Sequence, residues 1–233
     1  MKILAIETSG KICAVALYNN NNLIDEITVE DENTHSVKLM PTIDKLLKRT
    51  NTKLQDIDIF ACDCGPGSFT GIRIGIATIK AFIDVTNKKA IGISSLENLA
   101  YNVTENGIIC SLIDAKNNNM YFGLFQNVEN KIIKLKEYKF DSLENIIKEL
   151  KQINKKIIFI GDGAINYKDK ITEKLGDKCI FKEEPNYNKL NARNIAIAAY
   201  SKYDIEDTND IRPLYLRKSN AERQLEEKNG NNN

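Results

Sequence analysis

The chain has 233 residues, with Lys+Arg 33 against Asp+Glu 32, a formal net charge of +1, one His, no Trp and a 42% hydrophobic share. That length fits one large domain or two of about 100–120 residues, and the apolar share is enough for a core, which excludes wholesale disorder. A balanced charge argues against nucleic-acid binding through a broad cationic face, and a single His excludes any metal site built on a His pair.

Residues 2–7 (KILAIE), 11–18 and 23–30 read as three successive strands, the first almost wholly apolar, joined by turn-forming segments at Thr8-Ser9-Gly10 and at 19–22. The spacing predicts a helix over about 36–49, a strand at 57–63, a glycine-rich loop at 65–71 and a long apolar helix to about Val85. A strand at 90–94 and a helix from Ser95 to about Asn102 complete the first half. The second half repeats the order. Strands are expected at 108–115, 120–126 and 131–140, a helix at about 142–153, a strand at 157–160, and a helix entered through Gly161-Asp162-Gly163 and running to about Leu175. A last helix spans about 192–203, and the Asn-rich end after Arg217 is expected to be disordered. Strand-strand-strand-helix-strand-helix thus occurs twice, which points to an α/β protein of two duplicated lobes, 1–104 and 105–217, with 218–233 as a tail and the final helix returning toward the first lobe.

No Walker A sequence occurs, so a P-loop ATPase is excluded. The five cysteines, Cys13, Cys62, Cys64, Cys110 and Cys179, lack CxxC spacing and mostly lie in apolar runs, as buried thiols of a reducing compartment do. The opening Met-Lys-Ile-Leu-Ala-Ile-Glu has no long apolar signal region, and no apolar run is long enough for a membrane span, so a cytoplasmic protein is expected.

Each lobe offers a backbone turn at its first hairpin, Glu7-Thr8-Ser9-Gly10 and Asp114-Ala115-Lys116-Asn117, whose N–H groups can either cradle a phosphate or serve as ordinary turns. Glu7 ends an apolar strand, where a carboxylate must be paired, hydrated or used. Gly65, Gly67 and Gly71 form GxGxxxG, one residue too long for a dinucleotide fingerprint and after the wrong strand. They read instead as a tight strand-to-helix turn, with Ser68 or Thr70 capping the helix. The helix that follows has hardly any polar face and must be covered on every side.

Five segments together carry a resemblance: GPGSFTGIRIG at 65–75, the early Ile6-Glu7-Thr8-Ser9, His35-Ser36 before Leu39-Met40-Pro41, Ser94-Ser95-Leu96-Glu97, and Arg212-Pro213-Leu214-Tyr215-Leu216-Arg217. With them the chain resembles the bacterial TsaB (YeaZ) family from Met1 to about Gln224. The resemblance implies the two-lobe fold of actin, Hsp70 and the sugar kinases. It also implies a non-catalytic subunit of the complex that places N6-threonylcarbamoyl on adenosine 37 of tRNAs reading ANN codons. The implied partners are the metal-bearing paralogue TsaD and the ATPase TsaE, with a homodimer when the subunit is alone. Transfer RNA is expected only through the complex. No cofactor is expected to bind tightly, with ATP or ADP confined to a complex interface.

Residue by residue, the catalytic relative's HxxxH would fall on His35 and position 39, which is Leu here, so no metal site is expected. Asp114-Ala115-Lys116 resembles the family's Asp-Ala-Arg turn with Lys for Arg, and Gly161-Asp162-Gly163-Ala164 resembles the glycine turn that meets adenosine in nucleotide-binding members. Glu7, Thr8, Ser9, Asp114, Gly161 and Gly163 are therefore candidates for a vestigial nucleotide site. A small-molecule kinase of the same fold is the alternative, weakened by the absence of a Gly-Thr-Thr or Gly-Thr-Ser phosphate turn. The helices at 36–49 and 69–85 are expected to dock the paralogue or a second copy through Val37, Leu39, Met40, Ile43, Leu47, Ile72, Gly75, Ile76 and Ile79. Pro41 should kink the first of these helices or mark its start.

Overall fold

A computed structural model describes residues 1–30, 35–204 and 211–217. The expected tail at 218–233 lies outside the described residues. In chain order the first half comprises β1 (Lys2–Glu7), β2 (Ile12–Asn19), β3 (Asn22–Glu30), α1 (His35–Arg49), β4 (Ile59–Asp63), α2 (Phe69–Thr86), β5 (Lys89–Ile93) and α3 (Ser95–Ala100). The second comprises β6 (Gly107–Asp114), β7 (Asn119–Val128), β8 (Lys131–Lys134), β9 (Lys139–Ser142), α4 (Leu143–Leu150), β10 (Ile157–Ile160), α5 (Asp162–Asn166), α6 (Lys168–Leu175), β11 (Cys179–Phe181) and α7 (Ala192–Lys202).

Each half builds one mixed sheet, and the two have the same order: β3-β2-β1-β4-β5 and β11-β10-β6-β7-β8, with β9 also paired to β7. In both, the first three strands are antiparallel and the next two run parallel to the first. The duplication read from element order is thus a duplication of topology. Three details differ from the sequence reading. The 131–140 run divides into β8 and β9, which pair with opposite halves of β7, because the chain leaves the ladder at Leu135–Tyr138. The helix after Gly163 breaks at Tyr167 into α5 and α6. The short edge strand β11 has too few residues to show alternation and was not expected.

Alternation along β1 and β4 explains the two-sided core of the first lobe. Leu4, Ile6, Phe60 and Cys62 face α1 and α2, meeting Leu39, Ile43, Leu46, Ile72, Ile76, Ile79 and Phe82. Ile3, Ala5, Ile59 and Ala61 face the other way, onto Ile195, Ala196, Ala198 and Ala199 of α7. Alanine on both the helix and the sheet lets α7 lie close. The exchange is reciprocal: α3, from the first half, packs Leu96, Leu99 and Ala100 against Ile109, Phe125, Ile158 and Ile160 of the second sheet. Each half lends its last helix to the other.

Pro41 neither starts nor ends α1. The helix runs from His35 through it to Arg49, although a proline there cannot donate to the Val37 carbonyl.

Candidate functional site

The C-terminal ends of the parallel strands β1, β4 and β5 converge where a doubly wound sheet presents its ligands. β1 ends at Glu7 and β4 at Asp63, and because Ile6 pairs with Cys62, the two carboxyl groups lie side by side. Both are buried. The first turn of α3 supplies Ser95 and Asn98, also buried.

Glu7 folds back on its own turn. Its Oε1 accepts from the Ser9 N–H at 2.7 Å, the Gly10 N–H at 3.1 Å and the Ser9 hydroxyl at 2.7 Å. Its Oε2 accepts from the Asn98 amide at 3.0 Å, an amide that also reaches Asp63 Oδ2 at 3.4 Å. Asp63 Oδ1 accepts from the Gly65 N–H at 2.7 Å and the Ser95 hydroxyl at 2.6 Å, and the Ser9 and Ser95 hydroxyl oxygens are 3.2 Å apart. Five side chains, from β1, β4, α3 and the turn after β1, thus close a ring of hydrogen bonds.

Burial, and then the charge of Asp63, push the Glu7 carboxyl well above the ordinary carboxylate range. Burial also raises Asp63, against the hydrogen bonds that favour its ionised form. Two carboxyl groups this close and this dry resist ionising together, so the pair holds a proton to higher pH than an ordinary carboxyl does.

The glycine loop closes over this ring. Ser68 N–H donates to the Ser9 carbonyl at 2.8 Å, and Thr8 Oγ1 donates to the Gly71 carbonyl at 2.8 Å. A Cβ at Gly67 would run into the Ser9 carbonyl oxygen and one at Gly71 into that of Thr8, so this contact admits glycine alone. Ser68, rather than Thr70, caps α2, accepting from the Gly71 N–H at 3.2 Å. Gly65 precedes Pro66 and lies against Ile72 and the Leu214 carbonyl. His35 Nε2 lies 3.0 Å from the Gly10 carbonyl oxygen and fastens the start of α1 to the turn; Leu39, four residues on, is buried. Among the described residues no group of three potential metal ligands occurs.

The second lobe repeats the device. Asp114 Oδ1 accepts from the Lys116 N–H at 2.8 Å, Oδ2 accepts from Asn166 at 3.2 Å, and the Asp114 N–H donates to Asp162 at 3.0 Å. Gly161 and Gly163 press against the Leu112 main chain of β6 rather than opening onto a cavity. In both lobes, then, the N–H groups that a phosphate would need include donors already bonded to the chain's own carboxylate. As arranged here, the ring braces two strands and a helix, and its hydroxyls are sealed from solvent.

The nine residues expected on a docking face separate. Leu39, Ile43, Ile72, Gly75, Ile76 and Ile79 are buried within the first lobe, and Leu47 packs against the same core, so for these the expectation is corrected. The spacing that marked them as a stripe is the one that seats α1 and α2 on the sheet. Val37 and Met40 do face outward, 69% and 51% exposed. On α2 the exposed residues are Thr70, Arg73, Ala77, Lys80, Ala81, Asp84 and Val85, a face that mixes small apolar and charged side chains. Asp63, Ser95 and Asn98 were not singled out. An acidic residue ending an apolar strand marks Asp63 as clearly as it marks Glu7, whereas nothing local marks Asn98.

Two sheets of identical order, each beginning with a hairpin and exchanging their last helices, define a two-lobe α/β protein of the actin, Hsp70 and sugar-kinase type. A hexokinase from Thermus thermophilus shares that framework, at TM-score 0.52 and 8% identity, covering 88% of this chain and all of its own. A family model described as "TsaD: tRNA N6-adenosine threonylcarbamoyltransferase" matches residues 23–225. The Bacillus subtilis protein named tRNA threonylcarbamoyladenosine biosynthesis protein TsaB is 29% identical over 223 residues, 95% of this chain and 96% of that one. A Pseudomonas aeruginosa structure, described as having similarity to peptidase YeaZ, superimposes with TM-score 0.79 at 22% identity, over 93% of this chain and 99% of the other. The chain belongs to the TsaB (YeaZ) family.

Proposed function

We propose that this chain is a non-catalytic scaffold subunit in the biosynthesis of threonylcarbamoyladenosine on tRNA, the pathway named for its Bacillus relative. The observation that carries the reading is the Glu7–Asp63 ring. It fills the first-lobe turn with the chain's own carboxylate and buries the hydroxyls of Thr8, Ser9 and Ser95. With Leu39 where a second imidazole would be needed, the residues favour support of a catalytic partner over catalysis. The modified base in this reading is adenosine 37 of tRNAs that read ANN codons. The partners are a TsaD-type paralogue and a TsaE-type ATPase, with tRNA engaged through the complex, and ATP or ADP is held only at a shared interface.

The docking face consistent with the exposed apolar surface is Val37 and Met40 on α1 with Ala77 and Ala81 on α2. It suits a second pair of helices, from a paralogue or from another copy of this chain. Met40→Asp combined with Ala77→Asp puts charge on that face without touching the core. The double variant is expected to keep its circular dichroism spectrum and melting point while losing co-purification with the paralogue and, in cells, tRNA modification. Ile76→Asp is the contrasting control: it buries a charge in the lobe and is expected to cost about 3–5 kcal/mol of stability. A soluble double variant that still binds the paralogue with unchanged affinity places the face elsewhere. Purified protein that turns over Mg-ATP alone returns the reading to a kinase.

A further inference from the structure

At the end of the second sheet away from the Asp114 turn, a cavity of about 320 Å³ opens where β6 and β10 begin. Ile158 and Ile180 give it an apolar wall, and Ile180 is 37% exposed although it lies within a strand. The polar side chains of the lining are Asn106, Gln126, Lys155 and Lys156, with no acid among the described residues. Asn106 Oδ1 accepts from the Glu129 N–H at 2.8 Å, which leaves the N–H groups of that amide as donors. The half-buried Gln126 amide makes no hydrogen bond among the described residues.

The cavity adjoins a concentration of positive charge. Residues 148–156 hold four lysines and one acid, a net +3 in a chain whose total is +1, so the balanced total hides a local patch. The acid, Glu149, is taken by both Lys136 and Lys139. Lys148, Lys151, Lys155 and Lys156 are exposed and form no ion pair among the described residues. Glu105, next to Asn106, is held by Lys182. Lys178 donates to the Lys151 and Ile153 carbonyls at 3.0 and 2.9 Å, which ties the turn carrying these lysines to the residue before β11. The free ammonium groups are thus presented from a tethered turn.

We propose that this end of the second lobe binds RNA, with Lys148, Lys151, Lys155 and Lys156 on the phosphates and one unstacked base in the cavity. An apolar wall takes the face of a base, and an amide with both donor and acceptor meets its edge, as in the recognition of unpaired nucleotides. The lysines supply the part that does not depend on sequence. The inference rests on the reading that the chain serves a tRNA-modifying complex, and it gives this subunit a direct part in holding the RNA. Four phosphate contacts are few, so the chain alone is expected to bind weakly, with log affinity falling against log salt at a slope of about −3.

The test titrates the full-length protein into a labelled single-stranded RNA and follows anisotropy at several salt concentrations, with inorganic phosphate and phosphatidylserine vesicles as the other probes. Saturable binding of the RNA with that salt slope is expected. Lys155→Gln with Lys156→Gln should keep the circular dichroism spectrum, weaken RNA binding about tenfold and flatten the slope by about two. Gln126→Leu should weaken binding and leave the slope as it is, because an amide neutralises no phosphate. Lys53→Gln with Lys89→Gln, an equal loss of exposed charge from the first lobe, should change neither. Equal loss in this first-lobe pair, no saturable RNA binding, or binding of vesicles or phosphate without RNA overturns the proposal. The complex with the TsaD-type paralogue separates this inference from the scaffold reading. Wild-type protein that fails to co-purify with the paralogue counts against the scaffold, whereas a lysine variant that co-purifies and holds tRNA with unchanged affinity counts against the RNA site.

Discussion

Glu7 is a buried acid that holds its proton to higher pH than an ordinary carboxyl, because burial first and the neighbouring Asp63 charge second disfavour its ionised form. The consequence for stability has a definite sign. Between the ordinary carboxylate range and its raised native value, the folded protein holds a proton that the unfolded chain has released. Stability therefore falls as pH rises through that window. Asp63, raised by burial, adds in the same direction. Glu7→Gln removes the titrating proton but sets an amide against the Asn98 donor, an offset that does not vary with pH. The melting temperature of Glu7→Gln relative to wild type is expected to improve steadily from pH 5 to pH 8. A difference that stays flat across that range means that Glu7 ionises normally in the folded state. Residues of this kind were partly legible in advance. A carboxylate at the end of an apolar strand announced Glu7, but its partner Asn98 comes from a helix 91 residues away and had no local signature.

At the scale of single elements, α1 and α2 show where periodicity informs and where it misleads. Both helices were expected from their apolar spacing and both formed, at nearly the expected bounds. The same apolar residues could not say which lay inward, because an interface stripe and a core stripe share one period. Ile72, Ile76 and Ile79 sit on the sheet, and the outer surface carries Ala77, Ala81 and Val85 among the charged Arg73, Lys80 and Asp84. Pro41 stands at the seventh helical residue and on the exposed side, so it does not mark the start of the helix. Pro41→Ala restores one main-chain donor and relieves the ring's crowding of the preceding turn, and should stabilise the chain by about 1–3 kcal/mol in urea denaturation. An unchanged or lower midpoint shows that the proline is already accommodated at no cost.

Seen whole, the molecule is two copies of one sheet that cannot be separated by cutting between them. The duplication was legible because element order survives divergence. The exchange of helices was only half legible, since α7 was expected to return to the first lobe whereas α3 was assigned by position to the lobe it leaves. A fragment of residues 1–104 lacks α7, so Ile3, Ala5, Ile59 and Ile91 lose their cover. It should fail to give a cooperative melt or a dispersed amide spectrum alone, and should recover both when residues 105–233 are supplied in trans. A cooperative transition from the fragment alone would show that α7 is dispensable to the first sheet.

That borrowed helix also sets a schedule. The first sheet is complete in sequence when β5 ends at Ile93, but the helix that covers its second face ends at Lys202. At synthesis rates of about 5–20 residues per second, the intervening stretch takes roughly 5–20 s to emerge. For that interval a nascent chain carries a finished ladder with one apolar face bare, and the contacts that will bury it span nearly the whole sequence. The first lobe is therefore the earlier to be made and the later to be finished, and its exposure to chaperones and to aggregation falls within that interval.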